Sequence, residues 1–500
     1  MMAYVLGLDL GTSSLKGLLV NENGKIVYST SENYPLLHPK PGYSEQDPHE
    51  WYRATQVVLE KIVAEVPDVQ QKLKAISFSG QMHSLVLLDE KDQVVRNAIL
   101  WNDVRTTKQC QEITEILGKR LISITKNKAL EGFTLPKILW MKEQELELFS
   151  KANMFLLPKD YLGFCLTGNK QMEYSDASGT LLLDSTHKKW SQEILKAFEL
   201  PLSFCPPLVE STGKIGTLKK ELKDRFGFEH PINIYAGGAD NASAALGAGV
   251  ISEGLGMVSM GTSGVFLTYE KEAEKDYEGE LHYFHHVLPD TYYSMGVTLA
   301  AGYSLSWYKE TFGSNESFDT LLKDIQQIEP GSKGLLFTPY ISGERTPYKD
   351  SKIRGSFLGI HSGHRRPHFT RAVLEGITFS LKDSQVVMEK QAGKIFKRII
   401  SVGGGSKNSD WLQMQADIFD ATILTLETEQ GPAMGSAMLA ALGEGWFKKP
   451  EDCVAVFVKP AQEIQPIAEN VEKYKTIYAI YQKAYAATKD ISHALSDWTK

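Results

Sequence analysis

The sequence has few cysteines and no long hydrophobic run, and each shortage argues against a class of protein. Its 500 residues contain four cysteines, none in a C-x-x-C pair, which disfavours a disulfide framework and a zinc knuckle. No apolar run approaches the ~18 residues of a membrane span. The first residues carry no basic region of the kind that begins a signal peptide. We therefore predict a cytoplasmic protein with no membrane partner.

An excess of charge of either sign is also missing. The 54 lysines and arginines against 61 aspartates and glutamates give a formal net charge of −7, and the sequence pI is near 6.0. Because nucleic-acid binding needs a basic surface to neutralise phosphates, no nucleic-acid partner is expected. Aromatic residues make up 10% of the chain, so we predict globular domains and not a disordered chain.

Two common nucleotide-binding signatures are absent. A P-loop needs Gly-Lys followed by Ser or Thr, and the Gly-Lys pairs beginning at Gly24, Gly118, Gly213 and Gly393 are followed by neither. The G-x-G pairs in the chain lack the third glycine of a dinucleotide fingerprint. The sequence therefore disfavours a P-loop NTPase and an ordinary Rossmann dehydrogenase.

What the sequence does contain is an apolar strand that ends in a Gly-Thr-Ser turn, and a second copy of that pattern. Apolar runs at residues 4–10 and 15–20 flank Gly11-Thr12-Ser13, and Asn23-Gly24 is a hairpin signal before a third run. An antiparallel three-strand ribbon is expected. The turn recurs as Gly261-Thr262-Ser263, 261 − 11 = 250 residues later. This repeat indicates two related halves around a cleft.

The rest of the chain alternates strand and helix patterns, which is typical of an α/β protein. The predicted strands lie at residues 73–78, 232–236, 292–297, 334–338 and 398–402. The predicted helices lie at residues 103–117, 240–250, 368–389, 409–419 and 433–442, with a charged surface helix over 468–497.

Glycine turns after strands are candidate phosphate sites, because without a Cβ the backbone N–H groups come close to phosphate oxygens. Three such turns follow apolar runs, at Gly11-Thr12-Ser13, Gly261-Thr262-Ser263 and Gly403-Gly404-Gly405. For any one of them taken alone, a plain structural turn is the better interpretation. The three together favour a phosphate-binding cleft.

Two aspartates follow predicted strands. Asp9 can hold Mg²⁺ through water, or it can cap its turn. Asp240 begins a predicted helix, where it can act as a cap or as a general base that accepts a hydroxyl proton during attack on a γ-phosphate. The local sequence leaves both alternatives open.

Polar and aromatic groups near strand ends are candidates for binding a polyhydroxy substrate. Met82 and His83 follow one strand, and Trp101 offers a flat ring beside Asn102 and Asp103. Taken alone, His83 is more often a structural imidazole, and Trp101 is more often a core residue. A zinc site at the H-x-x-H-H pattern that begins at His282 is disfavoured, because no convincing helix and no nearby cysteine or glutamate ligands accompany it.

Together these motifs resemble the FGGY carbohydrate kinases, which belong to the ribonuclease H-like, actin-like ATPase group. Residues 7–14 resemble the family's first phosphate turn, and residues 132–144 and 355–375 resemble its two signature sequences. The resemblance spans nearly the whole chain. It implies an α/β fold of two ribonuclease H-like (actin-like ATPase) domains flanking a cleft, with a sugar-binding domain at 1–250 and an ATP-binding domain at 251–500.

Within that family, residues 42–48, 79–83, 238–241 and 342–347 are most similar to members that act on D-xylulose. The resemblance implies transfer of the γ-phosphate of ATP to the terminal hydroxyl of this sugar. A sibling activity on another ketose or on gluconate stays open, as does an actin-like ATP-binding assembly protein without a sugar substrate. A homodimer is common among such relatives.

The resemblance also implies roles for individual residues. Asp240 would be the catalytic base, and Asp9 and Asp240 would hold Mg²⁺. The side chains that would line the sugar pocket are Met82, His83, Trp101, Asp240 and Asn241. The residues that would face ATP are Gly11, Thr12, Ser13, Gly261, Thr262, Gly403, Gly404 and Asn408.

Overall fold

The computed structural model describes residues 2–273, 275–313 and 315–498. Two seven-stranded sheets organise these residues, one in each half of the chain. None of the helices in the described ranges is both long and apolar enough to cross a membrane.

The elements of the first half alternate strands with helices after an opening run of strands. The strands are β1 (Tyr4–Leu10), β2 (Ser14–Asn21), β3 (Ile26–Asn33), β4 (Glu45–Gln46), β5 (Leu73–Gly80), β6 (Val86–Asp89), β7 (Ala98–Ile99), β8 (Ala152–Leu156), β9 (Met172–Glu173), β10 (Leu183–Asp184), β11 (Lys189–Trp190), β12 (Leu208–Val209), β13 (Lys214–Thr217), β14 (Asn233–Tyr235) and β15 (Gly238–Ala239). The helices are α1 (Pro48–Glu65), α2 (Val69–Lys72), α3 (Thr107–Leu117), α4 (Lys119–Thr125), α5 (Thr134–Gln144), α6 (Leu146–Phe149), α7 (Pro158–Thr167), α8 (Tyr174–Ser178), α9 (Gln192–Ala197), α10 (Lys220–Phe226) and α11 (Asp240–Gly247), with a 3₁₀ turn at Leu202–Phe204.

The second half repeats this plan. Its strands are β16 (Leu255–Met260), β17 (Gly264–Glu270), β18 (His282–His285), β19 (Tyr292–Thr298), β20 (Leu336–Thr338), β21 (Ser356–Leu358), β22 (Arg398–Gly403), β23 (Thr422–Leu426) and β24 (Pro460–Ile464). Its helices are α12 (Gly302–Phe312), α13 (Phe318–Leu322), α14 (Arg366–Ala392), α15 (Ser409–Phe419), α16 (Pro432–Gly443), α17 (Pro450–Phe457), α18 (Ala468–Tyr481) and α19 (Ala484–Trp498), with 3₁₀ turns at Ile325–Gln327, Ser332–Gly334 and Gly404–Ser406.

The two main sheets have related topologies. The first runs β13-β14-β5-β1-β2-β3, with β15 also paired to β5, and the second runs β18-β19-β17-β16-β22-β23-β24. In the first, β1 pairs antiparallel with β2 and parallel with β5. In the second, β16 pairs antiparallel with β17 and parallel with β22. The Gly-Thr-Ser turns therefore occupy equivalent positions, and the opening antiparallel ribbon predicted from sequence is confirmed.

Helix α16 comes from the second half but packs on the first sheet. Small residues make this approach possible: a Cβ on Gly7 would lie 2.1 Å from the carbonyl oxygen of Ala433. A Cβ on Gly435 would likewise lie 1.9 Å from the carbonyl oxygen of Ser243. Such contacts exclude any side chain larger than hydrogen. The helix thereby joins the two halves, and the loop that precedes it lies at the cleft.

Two predicted elements differ most from those observed. The helix predicted from residue 103 begins at Thr107. Its first residues are held in a loop because the buried Asp103 carboxylate accepts a hydrogen bond from the Ser44 N–H (2.6 Å) and pairs with Arg105 (2.6 Å). The single surface helix predicted at 468–497 is two helices, and α18 buries Tyr474 and Tyr481. The many charged residues in this segment predict a surface helix, so the buried aromatic face could not be predicted from the sequence.

Candidate active site

The carboxyl ends of three parallel strands bring the two predicted aspartates to one edge of the first sheet. Ser79 on β5 pairs with Asp9 on one side and with Gly238 on the other. Two strand spacings, about 10 Å, therefore separate the backbones of Asp9 and Gly238. The chain continues from Gly238 directly to Asp240 at the start of α11.

The Asp240 carboxylate has one occupied and one free oxygen. Asn241 donates to Oδ1 from its backbone N–H (2.6 Å) and from Nδ2 (2.8 Å), while Oδ2 accepts no hydrogen bond from the described residues. Burial raises the pKa of Asp240 to about 7, and the negative charge of Asp9 adds to the rise. The group can thus exchange a proton near neutral pH, which a general base requires.

The Asp9 carboxylate is held by the same strand edge. Ser79 Oγ donates to its Oδ1 (2.8 Å), and burial raises the pKa of Asp9 against the lowering effects of Ser79 and of the Lys16 charge. Its Oδ2 accepts no hydrogen bond from the described residues. Free carboxylate oxygens on Asp9 and Asp240 are the hard ligands that Mg²⁺ prefers, so this pair fits the cation in its donor chemistry.

A cavity of about 290 Å³ lies beside Asp240. Its wall includes all five residues predicted to line the sugar pocket: Met82, His83, Trp101, Asp240 and Asn241. Its volume is at the small end of ligand pockets. The structure thus gathers side chains that lie up to 159 positions apart in the sequence.

The first-half residues of this cavity are fixed by specific contacts. His83 has a φ of 66°, and its Nδ1 lies 2.6 Å from the carbonyl oxygen of Gly179. Burial lowers the pKa of His83 to about 3, so the ring is neutral and its Nε2 is a hydrogen-bond acceptor. Trp101, predicted as core if considered alone, is 36% exposed, and its indole N–H donates to Thr12 Oγ1 (3.0 Å).

A second cavity of about 450 Å³ opens in the second half. Among the residues predicted to face ATP, it is lined by Gly261, Thr262, Gly404 and Asn408. Gly261 lines the first cavity as well, so the two cavities meet at the second Gly-Thr-Ser turn. A third cavity of about 340 Å³ joins Asp240 and Asn241 to Gly403.

Some of the residues predicted to face ATP have a structural partner. Asn408 Oδ1 accepts the N–H of Trp411 (2.9 Å) and so caps α15. The N–H of Gly403 donates to a carboxylate oxygen of Glu429 (2.8 Å). The residues of the first turn, Gly11, Thr12 and Ser13, line none of these three cavities, so their contact with a nucleotide stays a prediction.

Several residues of the first cavity were not predicted from the sequence to belong to the sugar site. Phe133, Ser259, His282 and Arg345 all line it. His282 and Arg345 come from the second half, and only the long-range fold brings them to Asp240. The motif around residue 345 resembled the family, but nothing in its local pattern indicates which way the side chain points.

Comparison with known proteins agrees with this architecture. A model described as the FGGY family of carbohydrate kinases, N-terminal domain, matches residues 4–247, and its C-terminal counterpart matches residues 256–444. The xylulose kinase of Bacillus subtilis (strain 168) is 53% identical over 500 residues, covering 100% of both chains. That of Lactococcus lactis subsp. lactis (strain IL1403) is 55% identical over 499 residues, covering 99% of each.

Solved structures share the fold. The ligand-bound xylulose kinase from Lactobacillus acidophilus has a TM-score of 0.93 at 28% identity and covers 97% of this chain and 98% of its own. A gluconokinase of Bacillus subtilis is more distant, with 29% identity over 493 residues, covering 96% of this chain and 95% of that protein. The chain is an α/β protein that belongs to the FGGY family of carbohydrate kinases.

Proposed function

We propose that this chain transfers the γ-phosphate of ATP to the terminal hydroxyl of D-xylulose, giving ADP and D-xylulose 5-phosphate. The proposal rests mainly on one observation: Asp240 lines both the 290 Å³ cavity and the cavity that reaches Gly403. The similarity to xylulose kinases along the full chain supports the choice of sugar. In this assignment the sugar lies in the first half and ATP lies mainly against the second.

Asp240 is the general base in this proposal. The terminal sugar oxygen attacks the γ-phosphorus, its O–H bond breaks, and the proton passes to the free Oδ2 of Asp240. The bond between the γ-phosphorus and the bridging oxygen breaks, and ADP leaves with that oxygen. Asn241 keeps Oδ1 occupied, so it orients Oδ2 toward the substrate. Positioning of this kind supplies much of the rate in phosphoryl transfer.

The nucleotide groups are assigned to glycine turns and to Mg²⁺. Backbone N–H groups near Gly11, Gly261, Gly403 and Gly404 would face phosphate oxygens, which accept such hydrogen bonds where no Cβ intervenes. Asp9 and Asp240 would hold Mg²⁺, which when bound offsets negative charge on the β- and γ-phosphates. The first turn also acts through its side chain, because Thr12 holds the Trp101 ring at the sugar cavity.

A substrate panel tests the proposal. The purified protein is assayed for ADP release with D-xylulose, D-ribulose, D-gluconate and glycerol, and without any sugar as the control. We expect the highest kcat/KM on D-xylulose and little ADP release without sugar. A higher kcat/KM on another member of the panel would overturn the substrate. ATP-dependent sedimentation without sugar-stimulated ADP release would instead support an assembly protein.

Two further assignments belong to the same proposal. A cytoplasmic location is supported by the four cysteines, all of which are free thiols. A homodimer is proposed by resemblance to relatives, and the molar mass in solution tests it: 55.8 kDa for one chain against twice that mass for two.

A further inference from the structure

One charged group in the sugar cavity has no partner. Arg345 lines the cavity and is partly buried, but its guanidinium makes no hydrogen bond or ion pair with any residue that the structure describes. A guanidinium carries five N–H donors and no acceptor, and leaving them unpaired in a partly desolvated place is costly. A ligand bound in the cavity that accepts hydrogen bonds from the guanidinium would remove that cost.

Burial lowers the pKa of Arg345, and the charges of Glu131 and Glu344 oppose that shift, but neither carboxylate makes a hydrogen bond or salt bridge with the guanidinium. Both oxygens of Glu344 are already occupied: Oε2 accepts from Thr298 Oγ1 (2.6 Å) and Ser380 Oγ (3.0 Å). Oε1 accepts the backbone N–H groups of Leu299 (3.1 Å) and Arg345 (2.7 Å). These contacts hold the Glu344 carboxylate and the Arg345 backbone in place while leaving the guanidinium directed to the cavity.

The cavity has two electrically different ends. After burial, the positive charge of Arg345 contributes to the low pKa of both His83 and His282. The pKa of Asp240 is instead raised by burial and by Asp9. The backbone agrees with this division: Thr346, next to Arg345, donates its N–H to Val297 on β19 (3.0 Å), and His282 on β18 faces Met295 of the same strand. Arg345 and His282 thus line the cavity from the second sheet, whereas Asp240 follows β15 and lines it from the first.

The polar groups at the two ends also differ in what they can bind. The carboxylate of Asp240 accepts a proton or a hydrogen bond, and the neutral His83 ring offers an acceptor at Nε2. Arg345 can only donate. Every sugar oxygen can accept a hydrogen bond from Arg345, but the C2 carbonyl oxygen has no hydrogen of its own to donate. It is therefore the one oxygen of an open-chain ketose whose hydrogen-bonding needs a donor-only group can meet in full.

We propose that Arg345 is the residue that recognises the keto end of the sugar, donating hydrogen bonds to the C2 carbonyl oxygen while the terminal hydroxyl lies at Asp240. This inference rests on the proposed function and specifies which chemical class the site selects: 2-ketoses over the corresponding polyols. Because Arg345 belongs to the second half and Asp240 to the first, a bound ketose also bridges the two halves of the chain.

The test compares a ketose with a polyol. Arg345→Met removes the donors but keeps most of the side-chain volume, and Arg345→Lys keeps the charge without the planar fork. Arg354→Met, at an exposed arginine nearby, is the matched control. The measurements are KM and kcat for D-xylulose and the inhibition constant of xylitol, in which a hydroxyl replaces the C2 carbonyl.

We expect Arg345→Met to raise the KM for D-xylulose by about 10- to 100-fold, as for loss of a hydrogen bond from a charged donor. The inhibition constant of xylitol should change less than about threefold, because its C2 hydroxyl can also bond to the histidines. Arg345→Lys should restore only part of the KM, and Arg354→Met should match the unmodified protein. Thermal unfolding of each variant confirms that it is folded.

Two results would overturn the inference. One is an unchanged KM for D-xylulose in folded Arg345→Met. The other is an equal loss of affinity for D-xylulose and xylitol, which would indicate a general effect on the cavity. Neither result would contradict the proposed function. That function would be contradicted if the unmodified protein had a higher kcat/KM on another member of the substrate panel.

Discussion

The two Gly-Thr-Ser turns share a backbone position but differ in the polar side chains beside them. Before the first turn the chain has Asp9, and before the second it has Ser259 at the equivalent position. The Thr12 hydroxyl accepts the indole N–H of Trp101 (3.0 Å). The Thr262 hydroxyl makes no hydrogen bond with the described residues, and its turn lines both the 290 Å³ and the 450 Å³ cavities.

Under the proposed function, this contrast adapts one sheet topology to two sites, one for sugar and one for nucleotide. The first copy has the Asp9 carboxylate and the Trp101 ring beside its turn, where the proposed function puts the sugar. The second has an exposed turn on the 450 Å³ cavity, where the proposed function puts the nucleotide. Sheet topology alone does not distinguish them, because in both halves the turn links an antiparallel pair of strands. The side chains at the strand ends make the difference, and substitutions there separate the two roles.

The largest effect is expected from Asp240→Asn. It removes the group that accepts the proton but keeps the side-chain shape, so kcat should fall by about 10²- to 10⁴-fold while the dissociation constant of D-xylulose changes little. Steady-state assays and calorimetric titration check both parts. Asp224→Asn, at an exposed aspartate paired with Lys220 (2.8 Å), is the control and should be near normal. Near-normal turnover by Asp240→Asn would remove Asp240 from the mechanism.

A smaller loss is expected at the position where the two halves differ. Asp9→Asn should lower kcat/KM by about 10- to 100-fold, the range found when groups that support a metal ion are removed. Ser259→Ala, at the equivalent position of the second half, removes no carboxylate and should leave the Mg²⁺ dependence of activity unchanged. Activity measured against Mg²⁺ concentration for both variants checks whether the loss comes from weaker Mg²⁺ binding. Equal losses in the two variants would contradict the division of roles.

Much of the scaffold behind this division could be predicted from the sequence. The apolar runs before each turn predict β1 and β16, and α15 begins and ends where its pattern indicates, because Asn408 provides a local cap. The predicted sugar residues also come together in one cavity. In each case the determining contacts are short in sequence or belong to a recognisable motif.

The rest depends on contacts that no local pattern contains. The packing of α16 on the first sheet depends on Gly7 meeting residues more than 400 positions away. The buried face of α18 could not be predicted, because Tyr474 and Tyr481 lie in a segment that contains many charged residues. Arg345 lies in a loop, and its position at the cavity is set by the long-range fold and not by its local sequence.

The glycine turn at the nucleotide side can be tested by a matched pair of substitutions. Gly403 has a φ of 84°, and a Cβ there would lie 2.7 Å from the carbonyl oxygen of Met260, whereas Gly393 has a φ of 62° with nothing near its Cβ. Gly393→Ala should lose about 1–2 kcal/mol of unfolding free energy from left-handed strain. Gly403→Ala should lose more, because its Cβ also meets the Met260 carbonyl oxygen. Only Gly403→Ala should also raise the KM for ATP. Denaturant unfolding and ATP titration separate the two effects.

The smallest effects are expected at the two threonines. Thr12→Val removes the acceptor for Trp101 and should raise the KM for sugar by about two- to tenfold, while the KM for ATP stays the same. Thr262→Val should raise the KM for ATP and leave the KM for sugar unchanged. Initial-rate measurements with each substrate varied in turn provide the check. The same pattern for both valine variants would mean that the two turns are not specialised.

The pH dependence of kcat/KM tests the central claim most directly, that Asp240 is a base poised by burial and by Asp9. A base must be ionised to accept a proton, and burial followed by the charge of Asp9 raises the pKa of Asp240 to about 7. Activity should therefore fall as the pH drops below about 7, approaching tenfold per pH unit. In Asp9→Asn the midpoint should move to lower pH, because one cause of the raised pKa is gone. A flat profile between about pH 5.5 and 8.5, or an unmoved midpoint in Asp9→Asn, would contradict the account.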